Sequence, residues 1–264
     1  MRDQPQVATQ VIAITSRENP LLKDLRWLAH DNTAYRKRGQ FWVEGDHLCR
    51  AAILRGLQPV VVVFSESYWP KADKYIKDIA IKKIVISDRL FAEVSSLESP
   101  AQVGFVLDLP NRQAIQADAM TVVLDRVQDA GNVGSILRSA AAFGFHQVLA
   151  LSGTAALWSP KVLRAGMGAH FGLKLMEGLD LAALQVLQAP MIATSSHTGK
   201  YIHEQKLPRP CAWVFGHEGQ GVCAELLARA GVTARIAQPG GEESLNVAAA
   251  ASICLYASAI GKAS

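Results

Sequence analysis

No apolar run in these 264 residues reaches the ~18 needed for a membrane-crossing helix, so no membrane partner is expected. The opening MRDQPQVATQ holds a lone Arg2 and no apolar stretch, and no secretory signal is expected from it. Cysteine is sparse. Cys49, Cys211, Cys223 and Cys254 stand far apart, with no CxxC pair and no histidine at ligand spacing. A zinc site and a disulfide framework therefore lack their signature; the thiols read as small buried hydrophobes, the compartment as cytoplasmic, and no metal is called for. Charge is also scarce, at 19% of residues against 50% hydrophobic, a balance that fits a folded core and argues against disorder. The 27 Lys and Arg exceed the 23 Asp and Glu by four, and three of that excess lie before residue 113. So mild a bias toward polyanions decides nothing alone.

What is present is an alternation of strands and helices. After a polar leader over 1–15, Asn19-Pro20 reads as an N-cap followed by proline in the first turn, and Leu21, Leu22, Leu25 and Leu28 give the helix an apolar face. A basic stretch, Arg36-Lys37-Arg38, leads into a strand at 40–43. Helices are predicted near 46–55, 70–80 and 89–97, interleaved with strands at 59–64, 83–86 and 103–107. That pattern makes residues 1–112 an α/β/α sandwich. Residues 113–120 read as a linker. A second α/β unit over 121–264 has strands predicted at 121–125, 146–151, 173–177, 191–195, 212–215 and 234–236. Helices fit at 133–143, 160–167, 181–188, 224–230 and 247–260.

Three loops of this second unit each follow a predicted strand, where open α/β sheets hold their ligands. They are Asp125 to Gly134, whose helix carries Arg138; Phe215-Gly216-His217-Glu218-Gly219-Gln220-Gly221; and Ile236 to Asn246. GHEGQG is spaced G-x-x-G-x-G and falls late in the chain, so it is no dinucleotide fingerprint, and no GxxxxGK[ST] offers a P-loop. Its glycines still let the backbone approach a ligand closely. A nucleotide-dependent oxidoreductase is the rival that this glycine spacing disfavours.

Together the loops resemble the three motifs of the SpoU/TrmH family of RNA ribose 2′-O-methyltransferases, in the SPOUT superfamily. The family pattern runs as acidic-x-x-x-D-P-G-N-x-G-x-x-x-R, then F-G-x-E-G-x-G, then I-P-M with S-L-N-V. NPLLK at 19–23 and FWVEG at 41–45 are similar to the family's RNA-binding domain. Ala130 replaces the usual proline, and Ala237-Gln238 stand where Pro-Met is usual.

The resemblance implies a carboxy-terminal domain tied in a deep trefoil knot, S-adenosylmethionine as cofactor and a homodimer. It implies RNA as substrate, with ribosomal RNA favoured over tRNA; a tRNA 2′-O-methyltransferase and a non-catalytic ribosome-assembly factor are the alternatives. The catalytic residues it implies are Arg138, Asn132, Glu218, Ser244 and Asn246. Thr194, Gly216, Ile236 and Leu245 are implied to line the cofactor, and Arg36, Lys37 and Arg38 to contact RNA phosphates. Arg138 acts as the base or as a clamp on the phosphate and developing alkoxide, and the sequence leaves both open. Glu218 would orient Arg138 or the substrate, and Ser244 would bridge Asn246 and the ligand. Asn132 and Asn246 also read as helix caps, and Phe41 and Trp42 as core.

Overall fold

The structure is a computed structural model and describes residues 11–72, 76, 79, 82–241 and 244–260. The chain divides into two compact units. The first is residues 1–110 with 158–160, and the second is 111–157 with 161–264.

Among the described residues the first unit is built on five strands, β1 (Val11–Ile14), β2 (Gln40–Glu44), β3 (Val61–Ser65), β4 (Lys82–Ile86) and β5 (Val103–Asp108), in the order β1-β4-β3-β5-β2. β5 runs antiparallel to β2 and β3, and the remaining pairings are parallel. Alternate strand residues Trp42, Val61, Val63, Ile84, Ile86 and Val106 share one core with two helices, α1 (Pro20–His30) and α4 (Asp88–Val94). Phe41 and Trp42 are 1% and 3% exposed, so both are core. Asn19 caps α1, its side chain accepting from the Leu21 amide at 2.9 Å. Helix α3 (Asp46–Leu54) buries Leu48, Cys49 and Ala52 and packs on β2 and β5.

One sequence expectation fails here. Residues 11–14, assigned to a polar leader, form β1, because Val11 to Ile14 pair in parallel with Lys83 to Ile86 at the sheet edge. The basic stretch forms the short helix α2 (Ala34–Arg38), which ends where Gly39 takes a left-handed φ of 68°. The helix expected at 70–80 falls largely outside the described residues.

Among the described residues the second unit carries seven strands, all parallel: β6 (Thr121–Asp125), β7 (Gln147–Leu151), β8 (Lys174–Leu179), β9 (Met191–Thr194), β10 (Lys200–Tyr201), β11 (Ala212–Gly216) and β12 (Val232–Arg235). Their order is β10-β12-β9-β11-β6-β7-β8. The segments at β6 and β11 are apolar on both faces, as a covered parallel sheet requires. One face packs Val123, Leu149, Ala193 and Val214 against Leu184, Val222 and Leu226. The other face bears Trp213, whose indole N–H donates to Ser258 Oγ at 2.8 Å in the last helix, α8 (Val247–Ile260). Helix α5 (Ala130–Ala142) packs along α8, and α6 (Pro160–Gly166) and α7 (Ala224–Arg229) complete the unit.

The helix expected at 181–188 is only a 3-10 turn at Ala183–Val186, and the strand expected at 234–236 lies earlier, at Val232–Arg235. Cys49, Cys211 and Cys254 are buried, and burial pushes the last two thiols up to about 11 and about 12. Among the described residues no helix is long and apolar enough to cross a membrane. No group of His, Cys, Asp or Glu among them could hold a metal ion.

Candidate active site

The chain leaves β6 toward β7 on one side, while β11 returns to pair with β6 on the other, with Gly216 beside Asp125. Neighbouring loops therefore diverge at the carboxyl ends of β6 and β11, the place where open parallel sheets form a crevice. The first and second loops open there. The third follows β12 and leads into α8.

Glu218 joins the first two loops. Its Oε2 accepts from the Gln128 amide at 3.1 Å, and its Oε1 accepts from the Asp129 amide at 3.0 Å and from Asn132 Nδ2 at 3.1 Å. Burial alone would push this carboxyl up. The donors of Asp129, Asn132 and Gln128 outweigh it and hold Glu218 at about 2. Asn132 extends the chain to the third loop, because its Oδ1 accepts from Asn246 Nδ2 at 2.9 Å. Asn246 in turn caps α8, its Oδ1 accepting from the amides of Ala248 and Ala249 at 2.9 and 3.2 Å. One line of hydrogen bonds thus fixes all three loops.

One expectation about these residues changes. Asn132 is not a cap: α5 begins three residues early at Ala130, and Asp129 caps it by accepting the Asn132 amide at 2.7 Å. The Asn132 side chain is thereby free to bridge Glu218 and Asn246. Among the described residues the hydrogen-bond partners of the Glu218 carboxylate all lie in the first loop, so it orients Asn132 and the backbone of that loop.

Arg138 lies exposed on α5, two turns beyond Asn132. It lines a hollow of ≈ 520 Å³ with Ser135 and Ser139 of α5, Phe143 just past its end, and Ala248 and Ser252 of α8. Ser139 and Ser252 face each other there at 2.7 Å. Arg138 has no hydrogen bond or ion pair with any described residue. Ser244 and Leu245 are exposed at the end of the third loop.

Thr194, Gly216 and Ile236 fall at or just past the carboxyl ends of β9, β11 and β12, three adjacent strands. Thr194 Oγ1 donates to the Val214 carbonyl at 2.9 Å and so locks β9 to β11. Gly216 has no room for a side chain, since a Cβ would overlap the Gly221 carbonyl carbon and the Val222 amide nitrogen. In the first unit Arg36, Lys37 and Arg38 are all exposed on α2. Arg38 is paired with Asp24, and the Arg36 guanidinium lies 5.5 Å from the centre of the Tyr35 ring.

Sequence reasoning missed the clasp beside Glu218. Asp125 is 2% exposed, accepts from the Cys223 amide at 2.7 Å and pairs with Arg126 at 2.9 Å; Arg126 reaches on to Gln220 Oε1 at 3.1 Å. Arg126 holds a left-handed φ of 58°, which side chains seldom adopt. The available signal was a carboxylate directly after the apolar run Val122-Val123-Leu124, a position that demands partners.

These loops carry the acidic, Asn, Arg, F-G-x-E-G-x-G and S-L-N elements, with Glu218, Asn132 and Asn246 joined by hydrogen bonds, and comparison with known proteins gives them a family. The model of the SpoU rRNA methylase family matches residues 119–256. The chain belongs to that family. A second model, the MRM3-like substrate binding domain, matches residues 19–104. An uncharacterised tRNA/rRNA methyltransferase of Synechocystis is 32% identical, with 95% of this chain and 94% of the relative covered. The Bacillus subtilis 23S rRNA (guanosine(2553)-2′-O)-methyltransferase is 30% identical over 92% of this chain and 97% of its own. Among solved structures, an rRNA methyltransferase of Sinorhizobium meliloti bound to S-adenosylmethionine is 26% identical, with TM-score 0.79 over 94% and 97% of the two chains. This SpoU methylase is therefore an RNA ribose methyltransferase that uses S-adenosylmethionine. The residues present fit that cofactor: the aligned ends of β9, β11 and β12 offer main chain, and Gln238 Oε1 beyond β12 is a buried acceptor without a donor.

Proposed function

We propose that this SpoU methylase methylates a ribose 2′-hydroxyl in ribosomal RNA, with the three loops of the second unit as its active site. The observation that carries the reading is the line Glu218–Asn132–Asn246, which holds three separate loops in one arrangement beside Arg138.

The cofactor supplies a methyl group on a sulfonium, electrophilic enough for an oxygen nucleophile. The protein must bring the 2′-oxygen into line with it and stabilise the charge that develops as the hydroxyl proton leaves. Glu218 is a poor base, because its carboxyl is held at about 2 and its oxygens already accept three hydrogen bonds. His217 Nδ1 is likewise occupied, accepting from the amides of Gly219 and Gln220 at 3.0 and 3.3 Å. Arg138 is a permanent cation with free donors, so its part is the clamp: it holds the target phosphate and stabilises the alkoxide. Asn132 and Asn246 present the ribose with fixed carboxamides, and Ser244 bridges Asn246 and the ligand. Thr194, Gly216, Ile236 and Leu245 line the cofactor.

The first unit serves as the RNA-binding domain, with Arg36, Lys37 and Arg38 on the phosphates. The second unit forms a homodimer through α5 and α8. Supporting this, α8 leaves Ile253, Tyr256 and Ile260 39%, 51% and 62% exposed beside the Arg138 hollow. The carboxy-terminal segment is threaded as a trefoil knot. Arg209 Nη1 donates to the carbonyls of Ser258 and Ala259, and the Trp213 indole donates to Ser258 Oγ, so the far end of α8 is tethered to β11 and the segment before it. The enzyme works in the cytoplasm.

Purified protein, labelled S-adenosylmethionine and separate pools of unmodified ribosomal and transfer RNA test the reading, with Arg138→Ala as control. A 2′-O-methylated nucleoside in the ribosomal pool, lost in the variant, is expected. Transfer to tRNA alone would replace ribosomal RNA as substrate. Cofactor binding with no transfer to either pool would favour an assembly factor.

A further inference from the structure

Gln238 lies in the third loop, three residues beyond the end of β12. Its main-chain carbonyl accepts the Gly241 amide at 3.2 Å, a turn that holds the residue in place. Its side-chain oxygen Oε1 is buried and meets no hydrogen-bond donor. A buried amide oxygen without a donor destabilises a protein, and a side chain of equal length such as methionine would avoid that cost. Packing therefore gives no reason for glutamine here, whereas an absent donor does.

The position of the loop identifies the donor. β12 pairs with β9 and β9 with β11, all parallel, so Gln238 stands at the same carboxyl edge as Thr194 and Gly216. S-adenosylmethionine offers three kinds of donor. Its ammonium would have to be desolvated against a single neutral acceptor, which is unfavourable. Its ribose hydroxyls are satisfied by groups of many kinds. The 6-amine of adenine is neutral and sits beside a ring-nitrogen acceptor, the pattern a carboxamide matches.

We propose that Gln238 is a specificity-determining residue for the cofactor, its Oε1 accepting a hydrogen bond from the 6-amine of the adenine of S-adenosylmethionine. The proposal rests on the assignment of this sheet edge to the cofactor.

Calorimetric titration of the full chain with S-adenosylhomocysteine and with S-inosylhomocysteine, in which a carbonyl replaces the 6-amine, tests it without any turnover. The wild-type protein binds the adenosyl compound about tenfold tighter or better, the ordinary worth of one such bond. Gln238→Met weakens the adenosyl compound by about tenfold and leaves the inosyl compound unchanged, while thermal unfolding of the free protein is not lowered. Equal binding of both compounds by the wild type overturns the proposal and needs no variant. So does a Gln238→Met protein that keeps the wild-type preference. Failure of the wild type to bind either compound would instead remove the cofactor assignment itself, and the proposal with it.

Discussion

Replacing Glu218 by glutamine changes one oxygen into an NH2 group and removes the charge, with almost no change in shape. Both carboxylate oxygens are in use, Oε2 with the Gln128 amide and Oε1 with the Asp129 amide and Asn132 Nδ2. Whichever way the new amide turns, at least one N–H donor faces another donor. Holding the carboxyl at about 2 instead of the usual 4.5 would correspond to ~3 kcal/mol if taken whole. Glu218 is exposed at the crevice mouth, however, and solvent screening reduces this to about 1–1.5 kcal/mol. For a unit of this size that is a fall in melting temperature of about 2–6 °C.

The pH dependence separates this account from a general loss of packing. The folded-state carboxyl is depressed, so its stabilisation is complete above about 4.5 and is lost as pH falls from there toward 2. Urea unfolding of wild type and Glu218→Gln should differ by about 1–1.5 kcal/mol at pH 7. The gap should narrow steadily below pH 4.5. Amide exchange at Gln128 and Asp129 should quicken in the variant at pH 7, since those two amides lose their acceptor. A gap of the same size at pH 7 and pH 3, or no gap at pH 7, would refute the assignment of Glu218 as the loop tie.

Arg138→Ala should lower the methyl-transfer rate at least about a hundredfold while cofactor affinity, read by calorimetry, is unchanged. Arg138→Lys should recover little, because an ammonium cannot present the guanidinium fork. Asn246→Ala should cost about 1 kcal/mol in urea unfolding through the lost cap of α8. Asn246→Asp should keep the cap yet still lose activity, because it turns an acceptor toward Asn132 Oδ1. Gly216→Ala should lower stability by about 3 kcal/mol or more in thermal unfolding, since its Cβ meets backbone that cannot swing away.

The sequence made the strand content of the second unit legible because its strands are short continuous apolar runs bounded by polar loops, and β6 and α8 lie where they were expected. β1 was missed because a four-residue edge strand carries no periodicity; only pairing with β4 defines it. The 3-10 turn at 183–186 shows the opposite error, an Ala- and Leu-rich segment whose helix propensity did not prevail in its tertiary setting. At the site the residue types were readable and their division of labour was not. Asp129 and Asn132 compete for the same cap, and from sequence either can win. The choice decides whether Asn132 has a free side chain, and so whether Glu218 and Asn246 are connected at all. The Asp125–Arg126–Gln220 clasp was hidden for a related reason, as it joins residues 94 positions apart whose proximity only the β6–β11 pairing creates.

The site has three anchored carboxamide and carboxylate groups and one unanchored cation, and that asymmetry bears on the chemistry. Glu218, Asn132 and Asn246 hold one another, so their positions are set before any ligand arrives, which is what alignment of a nucleophile requires. Arg138 stands outside the line, exposed beside the Ser139–Ser252 pair. A base that must accept a proton at a defined point would be held by neighbours that raise its basicity, as carboxylates raise that of histidine. A clamp for a mobile polyanion gains from reach instead, and its own orientation is fixed when the phosphate binds. With Glu218 held near 2, the transfer rate should show no acid limb from that carboxyl between pH 4 and 7. A limb in that window surviving in Glu218→Gln would point to a base elsewhere; one abolished by that variant would make Glu218 the base and displace Arg138 from the centre of the mechanism.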